Sequence, residues 1–144
     1  MAITAATPGS SSTPQVSSAR GPAFAAIVWV CQILLALAFL AHGLMFLFPP
    51  PDIAAQMNTF LPRWFQLFLG VAEVLAAIGL TVPPLVRRER WLIAWAAGGI
   101  MIVMVSATIL HLARGEFSSA LTTFVLLLMA TLVTNVRRRD YPRP

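Results

Sequence analysis

Glu73 offers the most chemistry, because it is the one acid inside the apolar run 64–82. A charged side chain at a bilayer centre costs about 2.5–3.5 kcal/mol on insertion scales, so such a carboxylate must be paired, protonated or functional. Counted from Trp64 it lies about 13 Å along a helix, and His42 lies about 9 Å before the prolines that follow its own run, so the two reach similar depth. His111 closes a later apolar run on the same side. An imidazole beside a buried acid can take or return a proton near neutral pH, and that is the chemistry this set favours. Two histidines and a carboxylate could also ligate a metal, but ligation needs facing geometry and an orienting outer shell that spacing does not supply, and no metal is expected. The segment His111, Leu112, Ala113, Arg114, Gly115, Glu116 reads first as a tight helical hairpin. Its cations meet the negative end of one helix, Gly115 suits a left-handed turn, and Glu116 precedes the positive start of the next. A second role, in which His111, Arg114 and Glu116 ring the mouth of a pocket, adds to that reading. The ligand or proton-site candidates are therefore His42, Glu73, His111, Arg114 and Glu116, and no residue is assigned as catalytic.

The elements that must position these side chains are set by composition. Of 144 residues 58% are hydrophobic and 10% charged, and mean hydropathy is +0.81, too apolar for a water-soluble domain. Four uncharged or nearly uncharged runs, at about 23–48, 64–82, 91–112 and 117–136, are each long enough to cross a hydrocarbon core of about 30 Å. Pro49, Pro50 and Pro51 are expected to end the first run, and Pro83 and Pro84 the second. The predicted fold is all-α, an integral-membrane four-helix antiparallel bundle over 23–136. Residues 1–22, rich in Ser, Thr, Pro and Ala, are expected to form a disordered cytoplasmic tail, and 137–144 a basic one.

All ten basic residues are arginine. Eight, Arg20, Arg87, Arg88, Arg90, Arg137, Arg138, Arg139 and Arg143, fall on the side of the termini, and only Arg63 and Arg114 on the other. The positive-inside rule then predicts both termini in the cytoplasm, and the tryptophans near the span ends fit an aromatic belt. The clusters read as orientation signals and contacts to anionic lipid rather than a ligand site, and not as a nucleic-acid surface. Cys31 is a single cysteine and forms no internal pair.

Small residues mark the expected helix contacts: Gly70, Glu73, Ala76 and Ala77 on the second span, Ala94 and Gly98 on the third, and Cys31, Leu35, Ala38 and His42 on the first. Gly43 and the methionines are read as packing. In the first outer loop Asp52 is the expected N-cap of a short interfacial helix carrying Ile53, Met57, Phe60 and Leu61, which could serve as a lid or a linker.

The segments FLAHGLMFLFPP, FLGVAEVLAAIGLTVP and VMVSATILHLARGE resemble the DoxX-like family of small four-span bacterial membrane proteins. The likeness covers nearly everything after residue 23; its most specific parts are the Glu73 segment and the His111-x-x-Arg114-Gly115-Glu116 end of the third span. Many relatives carry a lysine a few residues after the first-helix glycine; Phe46 stands there, so no role of that lysine is carried over. The resemblance implies a bacterial inner membrane and relatives associated with a thiosulfate:quinone oxidoreductase, oxidative-stress complexes or membrane-protein assembly. Three functions follow in order. The first is a small accessory or binding subunit with a pocket for quinone or lipid in the outer half of the bundle. The second is a membrane subunit of a quinone-linked oxidoreductase, in which Glu73 and His42 pass protons and a redox partner passes electrons. A proton-coupled carrier comes last, since four helices are few for an alternating-access repeat. Expected partners are the lipid bilayer, quinone or lipid, and a redox or assembly protein, with no nucleic acid. No motif encodes a cofactor, enzyme and binding subunit stay open, and so does the oligomeric state.

Overall fold

A computed structural model describes residues 21–141 as five helices: α1 (Pro22–Leu47), α2 (Pro51–Asn58), α3 (Arg63–Val86), α4 (Trp91–Ala113) and α5 (Phe117–Asp140). Of these, α1, α3, α4 and α5 are long and apolar enough to cross a membrane, and no strand occurs among the described residues. The tail expected over 1–22 lies outside them except for Gly21 and Pro22, and Pro22 opens α1, where its missing N–H and fixed φ suit a helix start. Neighbours pack in a ring, α1 on α3, α3 on α4, α4 on α5 and α5 on α1, an antiparallel four-helix bundle. One end, the α2 end, gathers the last turns of α1 and α4 and the first turns of α3 and α5. The opposite, terminal end holds the start of α1 and the finish of α5.

The core is made of Leu35, Leu80, Ile93, Ile100 and Val133, all fully buried. The outside is equally apolar: Ile27, Val30, Leu37, Leu75, Ile102 and Leu121 are exposed along the helices. Water penalises such a surface and lipid tails do not, so the chain is a multi-pass membrane protein. Without a hydrophobic drive between helices, close approach does the work. On Gly43 a Cβ would stand 2.9 Å from the Gly70 carbonyl oxygen, and one on Gly70 would stand 3.0 Å from that of Gly43. Bare backbone is what lets α1 and α3 cross here. Gly79 meets α4 in the same way, its Cβ position lying 2.8 Å from Cβ of Ala96.

Several expectations need correction. Pro83 and Pro84 do not end α3, which continues to Val86. A proline at 84 removes the N–H that the Leu80 carbonyl would accept, and the buried Gln32 side chain of α1 supplies the substitute, Nε2 donating to Leu80 O at 2.6 Å. Helix α3 stops instead at Arg87, which takes a left-handed φ of 55°. The basic end of the last span is no tail at first: α5 stays helical through Asp140, and Arg137 is buried inside the bundle, held by Gln32. Asp52 is not an N-cap, because Pro51 starts α2 and places Asp52 in its first turn. Ala94 is buried, but a Cβ on Gly98 would meet nothing within 4 Å; Ala97 turns to the core instead. On α1 the buried stripe runs through Gln32, Leu35, Ala36, Phe39 and Gly43, leaving Cys31 and Ala38 at its margin and His42 outside it.

Candidate functional site

The Gly43–Gly70 crossing brings the flanking residues His42 and Glu73 together. His42 Nδ1 lies 2.8 Å from Glu73 Oε2. The carboxyl is 3% exposed and the imidazole 50%, so one buried acid is joined to the flank of the bundle by a single ring. With the carboxyl ionised, the ring N–H donates; with it protonated, its O–H donates to the ring nitrogen. Either way one proton sits between them. Phe46, one turn on from His42, sets its ring at 88° to the imidazole with centroids 4.8 Å apart, fixing the ring edgewise.

The α2 end is tied down around this pair. Arg63, at the start of α3, donates from Nη1 to the Phe46 carbonyl and from Nη2 to that of Leu47, both at 2.9 Å. These are orphan carbonyls of the last turn of α1, where a cation is also favoured by the helix dipole. Gln66 is fully buried and donates from Nε2 to Asn58 Oδ1 at 2.9 Å and to Leu61 O at 2.7 Å, which pins the exit of α2 onto α3. Sequence reading passed over Arg63 and Gln66. The only signal for either was a polar residue within one turn of a span start.

His111 does not join Glu73. Its Nδ1 lies 2.6 Å from Glu116 Oε2, and Arg114 Nε donates to Glu116 Oε1 at 2.8 Å. The cause is local. Gly115 adopts φ 71°, its N–H donates to Leu112 O and that of Glu116 to His111 O at 2.9 Å, a Schellman turn that folds Glu116 back over His111. The Glu116 carboxyl is held below the ordinary glutamate range, first by the hydrogen bond with His111 and then, against an opposing desolvation, by the charge of Arg114. Arg114 also stands 4.2 Å from the centre of the Phe60 ring, linking the hairpin to the loop after α2. The five candidates thus divide into a half-buried pair and a surface cluster. Among the described residues no three His, Cys, Asp or Glu side chains come together as a metal-ligand set.

A groove of about 540 Å³ runs between α3 and α4. Its walls come from Leu69, Ala72, Ala76 and Val82 on one side and Trp95, Gly99 and Val103 on the other, with Phe39 behind. Among the described residues Glu73 is the one ionisable side chain lining it. The groove reaches from Leu69, one turn before Glu73, toward the terminal end as far as Pro83 and Leu92, and neither histidine lines it. Small residues on both facing helices leave the space.

No curated protein and no solved structure matches the chain. The family model for the DoxX-like family matches residues 30–133, which include the His42–Glu73 pair, the groove and the His111–Glu116 hairpin. With most of its length covered by that match, the chain belongs to the DoxX-like family.

Proposed function

We propose that the chain is a small binding or accessory subunit of the bacterial inner membrane, whose groove between α3 and α4 takes a quinone or a lipid with its polar group at Glu73. The observation that carries this reading is a single buried carboxyl set in an otherwise apolar groove, an arrangement that accepts a greasy body and orients one polar head. Trp95 lines the groove and supplies the readout. A short-chain isoprenoid benzoquinone titrated into the purified chain is expected to quench Trp95 fluorescence, and Glu73→Gln to weaken that titration about tenfold, the value of one hydrogen bond to a charged group. Quenching that is absent, or unchanged in Glu73→Gln, overturns the reading, as does a native preparation that carries neither quinone nor lipid.

A second reading is favoured by the 2.8 Å contact between His42 and Glu73. Reduction of a quinone consumes two electrons and two protons. The buried carboxyl would deliver protons and the half-exposed imidazole would return them to Glu73, while a redox partner protein supplies the electrons. His42→Gln would then leave binding intact and slow turnover, which separates a proton path from a binding pocket. In this reading both termini face the cytoplasm, the orientation that the arginine distribution favours. Reporters fused after Arg90 and at the C-terminus are expected to read cytoplasmic and one inserted at Gln56 external; a cytoplasmic signal at Gln56 reverses the orientation.

A further inference from the structure

The terminal end contains a second cavity, of about 500 Å³, between the first turns of α1 and the last turns of α5. Its apolar wall includes Ala25, Val28 and Val136, and its polar wall is Arg137, Arg139 and Asp140. Arg137 is the unusual member. Its side chain is 7% exposed, yet only part of its hydrogen-bonding capacity is used. Nε donates to Gln32 Oε1 at 2.8 Å, and Nη1 lies 3.9 Å from Asp140 Oδ2, at the limit of an ion pair. Its plane faces the rings of Trp29 and Tyr141, with Cζ 4.9 and 5.9 Å from their centres. Among the described residues Nη2 is buried and has no hydrogen-bond partner.

A buried guanidinium nitrogen left without an acceptor is costly, and the acceptor that fits its planar fork is a carboxylate or a phosphate. Among the described residues the cavity wall supplies one carboxylate for two guanidiniums. The start of α1 adds the positive end of a helix dipole. The cavity sits where the spans end, the level of lipid headgroups, and its apolar wall suits the first carbons below a headgroup. We propose that this cavity binds a phosphate monoanion through Arg137, either the headgroup phosphate of an acidic phospholipid or free phosphate. Arg137 is thereby a ligand-binding residue and not one more orientation charge. The proposal is independent of the groove beside Glu73.

The test measures thermal unfolding of the full chain in a neutral maltoside, with added phosphatidylglycerol, diacylglycerol of the same tails, or inorganic phosphate against chloride at equal ionic strength. A ligand that binds the folded form alone raises the midpoint. The expected result is a rise of several degrees with phosphatidylglycerol or inorganic phosphate and none with diacylglycerol. A rise with the lipid alone makes the headgroup the source, and a rise with both, or with inorganic phosphate alone, makes it the free anion. Arg137→Gln should abolish the rise. Because that change also disturbs Gln32, Ala25→Phe, which fills the cavity from the exposed start of α1, is the second variant and should abolish it as well. An equal rise with diacylglycerol, no rise with either phosphate compound, or a rise that survives Ala25→Phe overturns the site.

Discussion

At the α2 end, polar groups meet as acid and base: His42 with Glu73 across two helices, and His111 and Arg114 with Glu116 across one turn. At the terminal end, the chain of contacts runs from the Leu80 carbonyl through Gln32 to Arg137, joining α3, α1 and α5. The first arrangement joins titratable partners, the His42 ring half-exposed on the lipid-facing flank of α1 and the His111 cluster at the end of the bundle. The second buries a guanidinium between the Gln32 amide and the Trp29 and Tyr141 rings. The titratable contacts and the buried cation thus lie at opposite ends, with the groove beside Glu73 running toward the latter.

The sharpest way to break this comparison is to remove one arginine from each end. Arg137→Ala is expected to cost about 3 kcal/mol, because a charged hydrogen bond is lost and Gln32 is left with a buried acceptor. Arg114→Ala, removing an ion pair that is about one third exposed, should cost under about 1 kcal/mol. Unfolding of both variants in the same micelle gives the difference directly. Equal losses would mean that the terminal network is no more structural than the hairpin.

How far each end was legible in the sequence follows the same division. The four spans stand out because an apolar run of this length has one interpretation in lipid. Glu73 and His42 stand out because ionisable residues are rare there. Whether they face one another was not legible, because Gly43 and Gly70 lie on separate helices and only the fold shows that their backbones cross. His111 was misassigned to the same group because depth along a helix says nothing of azimuth, and the hairpin turn captures it locally. Gln32 and Arg137 were missed for a different reason. A glutamine in an apolar run gives no periodic signal, and Arg137 is one of three consecutive arginines of which only it points inward. Pro83 and Pro84 misled because a local helix-breaking rule was outweighed by a side chain from α1 that bonds the Leu80 carbonyl, 48 residues along the chain.

That last point can be measured as a coupling. Gln32→Leu leaves the Leu80 carbonyl and Arg137 Nε without partners and is expected to destabilise the bundle by about 2 kcal/mol. In a Pro84→Ala background, residue 84 regains its N–H and can satisfy Leu80 in the ordinary helical way. The same glutamine substitution should then cost about 1 kcal/mol less, an interaction readable from a double-mutant cycle. Strict additivity would show that Gln32 does not compensate the proline and serves Arg137 alone.

The smallest expected effect belongs to the exposed cluster at the other end and appears only in its pH dependence. The Glu116 carboxyl is held below the ordinary glutamate value of 4.5, principally by the hydrogen bond with His111. Because the unfolded chain takes up that proton at a higher pH than the folded one, the contribution of Glu116 is fully present above the ordinary value. It fades as pH falls through the lowered value of the folded state. Glu116→Gln keeps the shape of the side chain and cannot titrate. Subtracting its unfolding midpoint from that of the parent chain cancels the acids that do not contact Glu116, leaving a difference that should shrink steadily below about pH 4. A difference that stays flat to the acid limit, or widens there, would show that Glu116 holds the hairpin by its hydrogen bonds alone, and the α2 end would lose one of its two charge-dependent contacts.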